Sequence, residues 1–359
     1  MAFQSAASGS ALTGGINNSG AWNNLTSGNF SPVIYSKKVQ KALRASSVIE
    51  AVTNTDYTGE IANMGDSVNI IKEPDITVSA YARGTALATQ ALTDAAFTMV
   101  VNKANYYQFA MDDIEEAHSH VNFVDLATDR AGYKMKDAMD AEVLRHMAGY
   151  TDATTARTAL ETGSTKADAG ADNDELLAAN KLRGNAFSGV SGDSTKAIPI
   201  AADGGTGIIT SPLEIMNRIA RMMDQANVDT DGRYIVVDPV FCEVLLDTSS
   251  KLINSDFGGG DELRNGKLPN KIRGFDVYKS NNLPYKGTGP GTATAAGSTA
   301  HYGVLVAGHM GAVATAQQIA KTETFRSPDT FADIVRGMNL YGRKILRSDS
   351  LFNAWYNLA

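Results

Sequence analysis

FTMVVNKANYYQFAMDD, residues Phe97–Asp113, leads shortly into DLATDRAGYKMKDAMDAEVLRHMAGY, residues Asp125–Tyr150, and this junction decides the architecture. In the first block Phe97, Met99 and Val101 alternate with Thr98 and Asn102, and Tyr107, Phe109 and Met111 repeat the period of two. Successive side chains on a strand point to opposite faces, so the spacing predicts one half-buried strand over Phe97–Met111. After it, Ile114, Ala117, Val121, Val124, Ala131, Met135, Ala138 and Glu142 step by three, four or seven. That places them on one side of a helix. Asp125–Tyr150 alone is ~26 residues, or ~39 Å at the helical rise. A helix of that length suits a structural spine.

Upstream, Asp66–Glu73 predicts a strand carrying Val68, Ile70 and Ile71. Pro74–Ala96 separates it from Phe97, too long for a tight hairpin turn. The pair reads as an extended ribbon with Tyr81-Ala82-Arg83-Gly84 near its tip. A two-stranded ribbon is marginal alone, so it is built to pack on something else, with Tyr81 and Arg83 as candidate contacts. Ser36–Thr53 predicts a short helix ringed by Lys37, Lys38, Lys41 and Arg44, read first as a solvated face and otherwise as a contact with an acidic scaffold or with packaged DNA.

Met1–Ser36 contains no Asp, Glu, Lys or Arg, and Met1–Phe30 holds five Gly, five Ser and five Asn. It cannot build a core of its own. It reads as a solvated leader or as an arm lying on another surface; the spaced Phe3, Trp22 and Phe30 favour the arm, as anchors.

Downstream, Thr151–Gly207 is polar and reads as a surface insertion. Ser211–Asn227 is a helix with Ser211 as N-cap, Pro212 at its first position and a buried face of Ile215, Met216, Ile219, Met222 and Met223. Arg233–Asp238 is a buried strand, and Pro239–Leu246 a short helix bearing Cys242 as a buried, inert thiol. Lys271–Ser280, Tyr302–Gly308, Gly311–Ala320 and Phe331–Arg347 are strands, the last bent at Gly337 and Gly342. Helices and strands mix without a βαβ period, so the class is α+β.

The 359 residues suffice for two domains, and 43% hydrophobic against 20% charged permits a sizeable core. Lys plus Arg is 32 and Asp plus Glu is 39, a net charge of −7 that disfavours a nucleic-acid reader. The single cysteine rules out an intramolecular disulfide framework and any Cys-rich zinc site. Neither a membrane-spanning run nor a secretory signal is expected.

Little in the sequence suggests chemistry. Glu116 and His120 stand at i, i+4 near Asp112, Asp113, Glu115 and His118, where a metal pair is geometrically possible. Acids at a helix start together with solvated histidines account for them better, and that reading is preferred. Asp203–Gly207 lacks the Lys-Ser or Lys-Thr of a phosphate loop. No catalytic residue, metal site or cofactor is expected.

Three stretches in this order resemble the major capsid protein of tailed double-stranded DNA bacteriophages, the Hong Kong 97-type fold. They are the ribbon running into Met111-Asp112-Asp113 and the Asp125–Tyr150 helix; Asn227-Val228-Asp229 through Gly232-Arg233-Tyr234-Ile235-Val236-Val237-Asp238-Pro239; and Ile272-Arg273-Gly274-Phe275 through Asn282-Leu283-Pro284. The resemblance implies an N-terminal arm over 1–36, a short helix and lead-in to a peripheral domain over 37–65, and an extended β-ribbon loop over 66–111. It further implies a spine helix of the peripheral domain over 112–150, an insertion over 151–210, an axial domain over 211–325, and return strands to the peripheral domain over 326–359. It implies a non-enzymatic subunit that self-assembles as pentamers and hexamers into an icosahedral head around the DNA genome. Scaffolding, portal and possibly decoration proteins would be its partners, the virion its destination and the host cytoplasm the place of assembly. Relatives that begin with a cleaved helical segment differ from the uncharged arm seen here, and no motif marks Lys72, Lys103, Asn102 or Asn105 as cross-linking. Rival readings are an encapsulin-type nanocompartment shell, a secreted fibre or adhesin subunit, and a metal enzyme built on Asp112–His120.

Overall fold

The computed structural model describes residues 47–57, 67–72, 74, 76–84, 86, 89–91, 95–113, 123–149, 176–184, 187, 197–201, 209–247, 271–286, 301–328 and 330–358. Phe3, Trp22, Phe30 and most of the 37–65 and 151–210 segments lie outside these residues.

Strands β6 (Arg233–Val237), β10 (Tyr302–His309) and β13 (Leu351–Leu358) are the centre of the larger sheet, because each is buried along nearly its whole length. Runs such as YIVV and VLVA have no polar side for water, so both faces must be covered. The sheet has eight strands in the order β4-β13-β10-β6-β8-β7, where β4 is Lys181–Leu182, β7 is Lys271–Ile272 and β8 is Phe275–Lys279. β5 (Ile198–Ile200) and β9 (Tyr285–Lys286) add to β13 and β10. β10 runs antiparallel to β6 and β13, whereas β8 is parallel to β6.

Alternation splits the sheet residues between two cores. Ile235, Val237, Leu305, Ala307, Phe352 and Ala354 face Ile215, Met216, Ile219 and Met223 of helix α3 (Pro212–Gln225) and Phe241, Val244 and Leu245 of helix α4 (Pro239–Leu245). Tyr234, Val236, Val304, Val306, Leu351 and Trp355 face Val143, Leu144 and Met147 of helix α2 (Phe123–Ala148) and Ile49 and Val52 of helix α1 (Ile49–Val52). The expected start of α3 holds, with Ser211 extended and Pro212 first, although the Ser211 side chain makes no capping bond. Asp238 caps α4, its Oδ1 accepting from Phe241 N at 2.9 Å.

The smaller sheet holds β11 (Val313–Arg326), β12 (Ala332–Ile345) and β3 (Lys103–Asp112), all antiparallel. A separate ribbon pairs β1 (Ser67–Lys72) with β2 (Ala95–Val100), Ser67 opposite Val100 and Lys72 opposite Ala95.

Several expectations are corrected. Phe97–Met111 is two strands, not one: the chain breaks at Val101-Asn102, leaving β2 in the ribbon and β3 beside β12. Period-two alternation continues across the break, so the pattern could not show that partners change. Lys271–Ser280 is a two-residue hairpin, because Arg273 and Gly274 both take positive φ, 53° and 85°. β12 runs unbroken through Gly337 and Gly342, which admit close neighbours rather than bends. The buried side of α2 is Asp140, Val143, Leu144, Met147 and Ala148, not Ala131, Met135, Ala138 and Glu142, since only its C-terminal third enters the core. Finally, the 326–359 return segment is divided: β12 stays in the three-stranded sheet while β13 crosses into the eight-stranded one, and β11 of the 211–325 segment joins β12.

Candidate assembly surface

The ribbon owes its two faces to alternation. Val68 and Ile70 turn inward and pack with Met99, Val101, Ala314 and Ala316 at its root, while Asn69 and Ile71 turn out. Gly342 makes the root possible. A Cβ there would lie 2.8 Å from the Val100 carbonyl oxygen and 3.1 Å from Val101 Cα, closer than packed atoms tolerate.

Beyond the root the ribbon carries apolar side chains into solvent: Ile71 is 76% exposed, Val78 94% and Tyr81 67%. Large apolar groups held out on an extended element mark an interaction surface. Arg83 is exposed at a turn closed by Gly84, whose φ is +89°. Tyr81 and Arg83 are thus both exposed, and Ile71, Ile76 and Val78 are exposed with them, large apolar side chains the sequence reading did not single out.

A second exposed patch lies on the ribbon side of the small sheet. Tyr106 of β3 is 81% exposed and pairs with Met338 of β12, which is also exposed. Next to it Arg336 lies over the Phe325 ring, 4.8 Å from its centroid, and bonds Glu323 at 2.8 Å. Lys321 and Arg336 together draw the Glu323 carboxyl down to about 2. At the end of the sheet Arg326 pairs with Asp113 and, at 3.2 Å, with Asp333, and Phe331 stands exposed beside them.

The opposite face of this sheet is fastened to α2. Glu142 accepts from the Tyr341 hydroxyl and pairs with Arg343 at 3.0 Å. Two residues away, Asp140 Oδ1 accepts from Ser47 Oγ and from the amides of Val48 and Ile49 at 3.0–3.1 Å. Its Oδ2 accepts from Asn282 Nδ2 at 2.8 Å. One buried carboxylate thus starts α1 and ties α2 to the β8–β9 turn, a long-range role no sequence spacing could reveal.

Among the described residues, His301, Asp238 and Tyr356 form a buried polar cluster. His301 Nε2 lies 2.9 Å from Asp238 Oδ2, and the Tyr356 hydroxyl donates to Asp238 Oδ1. Cys242 is nearby, but burial pushes its thiol up to about 12, so it stays protonated and out of reach. The cluster joins β6, β10 and β13, and the Asp-Pro pair that begins α4 was its only sequence signal. Of the acidic group at 112–120, Asp113 is engaged by Arg326, which lowers its pKa, and Glu116, His118 and His120 lie outside the described residues. Among the described residues no three His, Cys, Asp or Glu side chains gather as metal ligands, and no helix is long and apolar enough to cross a membrane.

This arrangement is that of known phage chains. A structure from Mycobacterium phage Che8 superposes with a TM-score of 0.66 at 22% identity, covering 91% of this chain and 97% of its own. The capsid structure of cyanophage P-SCSP1u gives 0.64 at 20% identity, covering 98% and 99%. The capsid of Ralstonia phage GP4 gives 0.63 at 12% identity, covering 92% and 96%. The chain therefore has the fold of phage capsid subunits. No protein-family model and no curated protein sequence matches it.

Proposed function

We propose that this chain is the major capsid protein of a tailed double-stranded DNA phage, a non-enzymatic subunit of Hong Kong 97-type fold. It assembles with copies of itself, as pentamers and hexamers, into the icosahedral head that encloses the genome. The observation that carries this reading is the end-to-end likeness to a phage capsid chain, 98% of one covered by 99% of the other. In these terms the β1–β2 ribbon is the extended loop, α2 is the spine helix, α2 with β3, β11 and β12 forms the peripheral domain, and the eight-stranded sheet is the axial domain. Trp22, Phe30 and Phe3 belong to an arm that straps onto neighbours. Scaffolding, portal and decoration proteins are the partners this role implies.

Physical arguments support it. The exposed ribbon and the Tyr106–Met338 patch supply many modest contacts, and ring closure makes the later ones effectively intramolecular. A net charge of −7 suits a container whose contents must slide, because a basic wall would grip the phosphate backbone. Negative-stain microscopy of the expressed protein, alone and with a co-expressed scaffolding protein, tests the proposal. Closed icosahedral shells are expected. Shells that enclose an enzyme, fibres, or particles of one to a few subunits under both conditions would each refute it.

A further inference from the structure

The small sheet has two outer edges, and they are built differently. β11 carries Lys321, Glu323 and Arg326 and a register shift between Gln317 and Ile319, the charges and irregularity that keep an edge from pairing. β3 has neither. From Ala104 to Met111 it holds no charge, no proline and no glycine, and its pairing with β12 runs without a shift. Among the described residues no strand lies on its other side.

Hydrogen-bond phase shows what that edge offers. Asp113 N donates to the Phe331 carbonyl, and bonded pairs recur at every second residue of an antiparallel ladder. Odd-numbered residues of β3 therefore bond β12, and the N–H and C=O groups of Ala104, Tyr106, Gln108 and Ala110 point to the open side. The side chains of these four are also exposed. An unblocked edge of this length is a template for one more extended segment.

The chain holds a segment fitted to it. Residues 1–36 are as free of charge as the edge, and within them Val33-Ile34-Tyr35 is the one run of three strand-favouring residues. Pro32 precedes the run, and a proline is tolerated at the first residue of a strand. The tether is short. Ser47, the first described residue, donates its hydroxyl to Asp140 of α2 at 3.0 Å. Two residues further along α2, Glu142 pairs at 3.7 Å with Lys103, the first residue of β3. The intervening residues 37–46 reach at most ~36 Å, about the length of β3 itself.

We propose that residues 31–36 add a fourth strand to the small sheet of their own subunit, antiparallel to β3 on its open edge. In this direction Ser36 lies toward Lys103, and so toward Ser47, which keeps the tether within reach. Pro32 has no N–H and faces away from β3, so Val33 and Tyr35 make the bonds. Their side chains join Tyr106 and Gln108 on the exposed face, while Ile34 falls on the α2 side beside the stacked rings of Tyr107 and Phe109. A short tether favours the subunit's own edge over a neighbour's. The pairing lies within one chain and does not depend on the shell reading. It divides the arm: residues 31–36 complete the subunit's sheet, and residues 1–30 are left to reach a neighbour.

Disulfide trapping tests it, because the one native cysteine, Cys242, is buried. Val33→Cys and Tyr35→Cys are each combined with Gln108→Cys in the full chain. At least one pair should close in more than about half of the chains, as cross-strand neighbours have the required spacing. The link is read by mass spectrometry of the monomer band from a non-reducing gel. Val33→Cys with Thr324→Cys, on the β11 side of the sheet, should stay at background. A chain beginning at residue 37 should also melt about 2 °C or more below one beginning at residue 31. Links confined to dimer or larger bands place the segment on a neighbour and overturn the pairing within the subunit. Links from neither pair, links as frequent to Thr324, or equal melting of the two truncated chains overturn the fourth strand itself. Each of these results leaves the shell reading to be decided by microscopy.

Discussion

Gly342 and Gly337 differ in what they keep out, and the difference is measurable. A methyl group at Gly342 would meet backbone, the Val100 carbonyl oxygen, which cannot swing aside. A methyl at Gly337 would meet the Tyr107 ring, which stacks on Phe109 but can turn. Gly342→Ala should therefore cost about 1–3 kcal/mol in urea unfolding, the range for overpacking, and Gly337→Ala less. Equal costs would show that the ribbon root yields as readily as a side chain. Cys242 gives a pH-dependent counterpart. Burial is the main cause that lifts its thiol from 9.0 to about 12, with Asp238 adding to the rise and Lys279 opposing it. Below pH 9 the thiol is protonated in both the folded and unfolded chain and stability does not depend on it. Between about pH 9 and 12 the unfolded chain releases its proton and the folded chain holds it, so stability falls as pH rises. Tyr234 and Tyr356 are also shifted upward, so the parent must be compared with Cys242→Ala, which should fall less steeply over this window. Identical slopes would mean that the thiol titrates in the folded protein as it does in the unfolded chain.

Among the elements, the ribbon separates folding from association most cleanly, because adjacent residues on β1 face opposite ways. Ile70 belongs to the root cluster with Met99 and Ala316; Ile71 is in solvent. Ile71→Asp should leave subunit stability within about 0.5 kcal/mol, as surface changes do, while reducing particle yield. Ile70→Asp puts a charge into the root and should detach the ribbon, read as faster proteolysis within 67–100. The hypothesis fails if Ile71→Asp destabilises the subunit as much as Ile70→Asp does. The same alternation explains what the sequence made legible. Val68, Ile70, Met99, Ile215, Ile219 and the buried run of β6 all declare their environment through a local period, and their elements were found within a few residues. What was hidden depends on partners distant in sequence. Asp140 meets Ser47 and Asn282, His301 meets Asp238, and β13 lies between β10 and β4, each a pairing that no local window contains. β13 also lacks alternation: LFNAWYNL is buried on both faces, even at Asn353, whose side chain bonds the Ala148 carbonyl at 2.9 Å and accepts from Arg183 at 3.0 Å.

For the whole molecule, the question is how much of the chain serves the subunit and how much serves its neighbours. Among the described residues, which begin at Ser47, the core clusters lie on both faces of the large sheet and under the ribbon root. The sequence up to Phe30 carries no Asp, Glu, Lys or Arg and is half Gly, Ser and Asn, which leaves Phe3, Trp22 and Phe30 as its candidate anchors. Deleting residues 1–30 should leave the circular-dichroism spectrum and most of the thermal stability of the subunit unchanged, because α2, α3 and the central strands keep every core partner described here. Assembly should suffer instead. An aromatic anchor at an interface is often worth 2 kcal/mol or more, about a thirtyfold change in a single contact. A shell repeats each contact in every subunit, so the loss is multiplied and closed particles should nearly vanish in sedimentation of the truncated protein. Restoring only the aromatics, by comparing Trp22→Ala and Phe30→Ala in the full chain with the deletion, separates anchoring from mere length: the point variants should reproduce most of the defect. Intact heads from the truncated chain would show that the segment is a bystander. A truncated subunit that melts early would place the aromatics in their own subunit's core instead of on a neighbour.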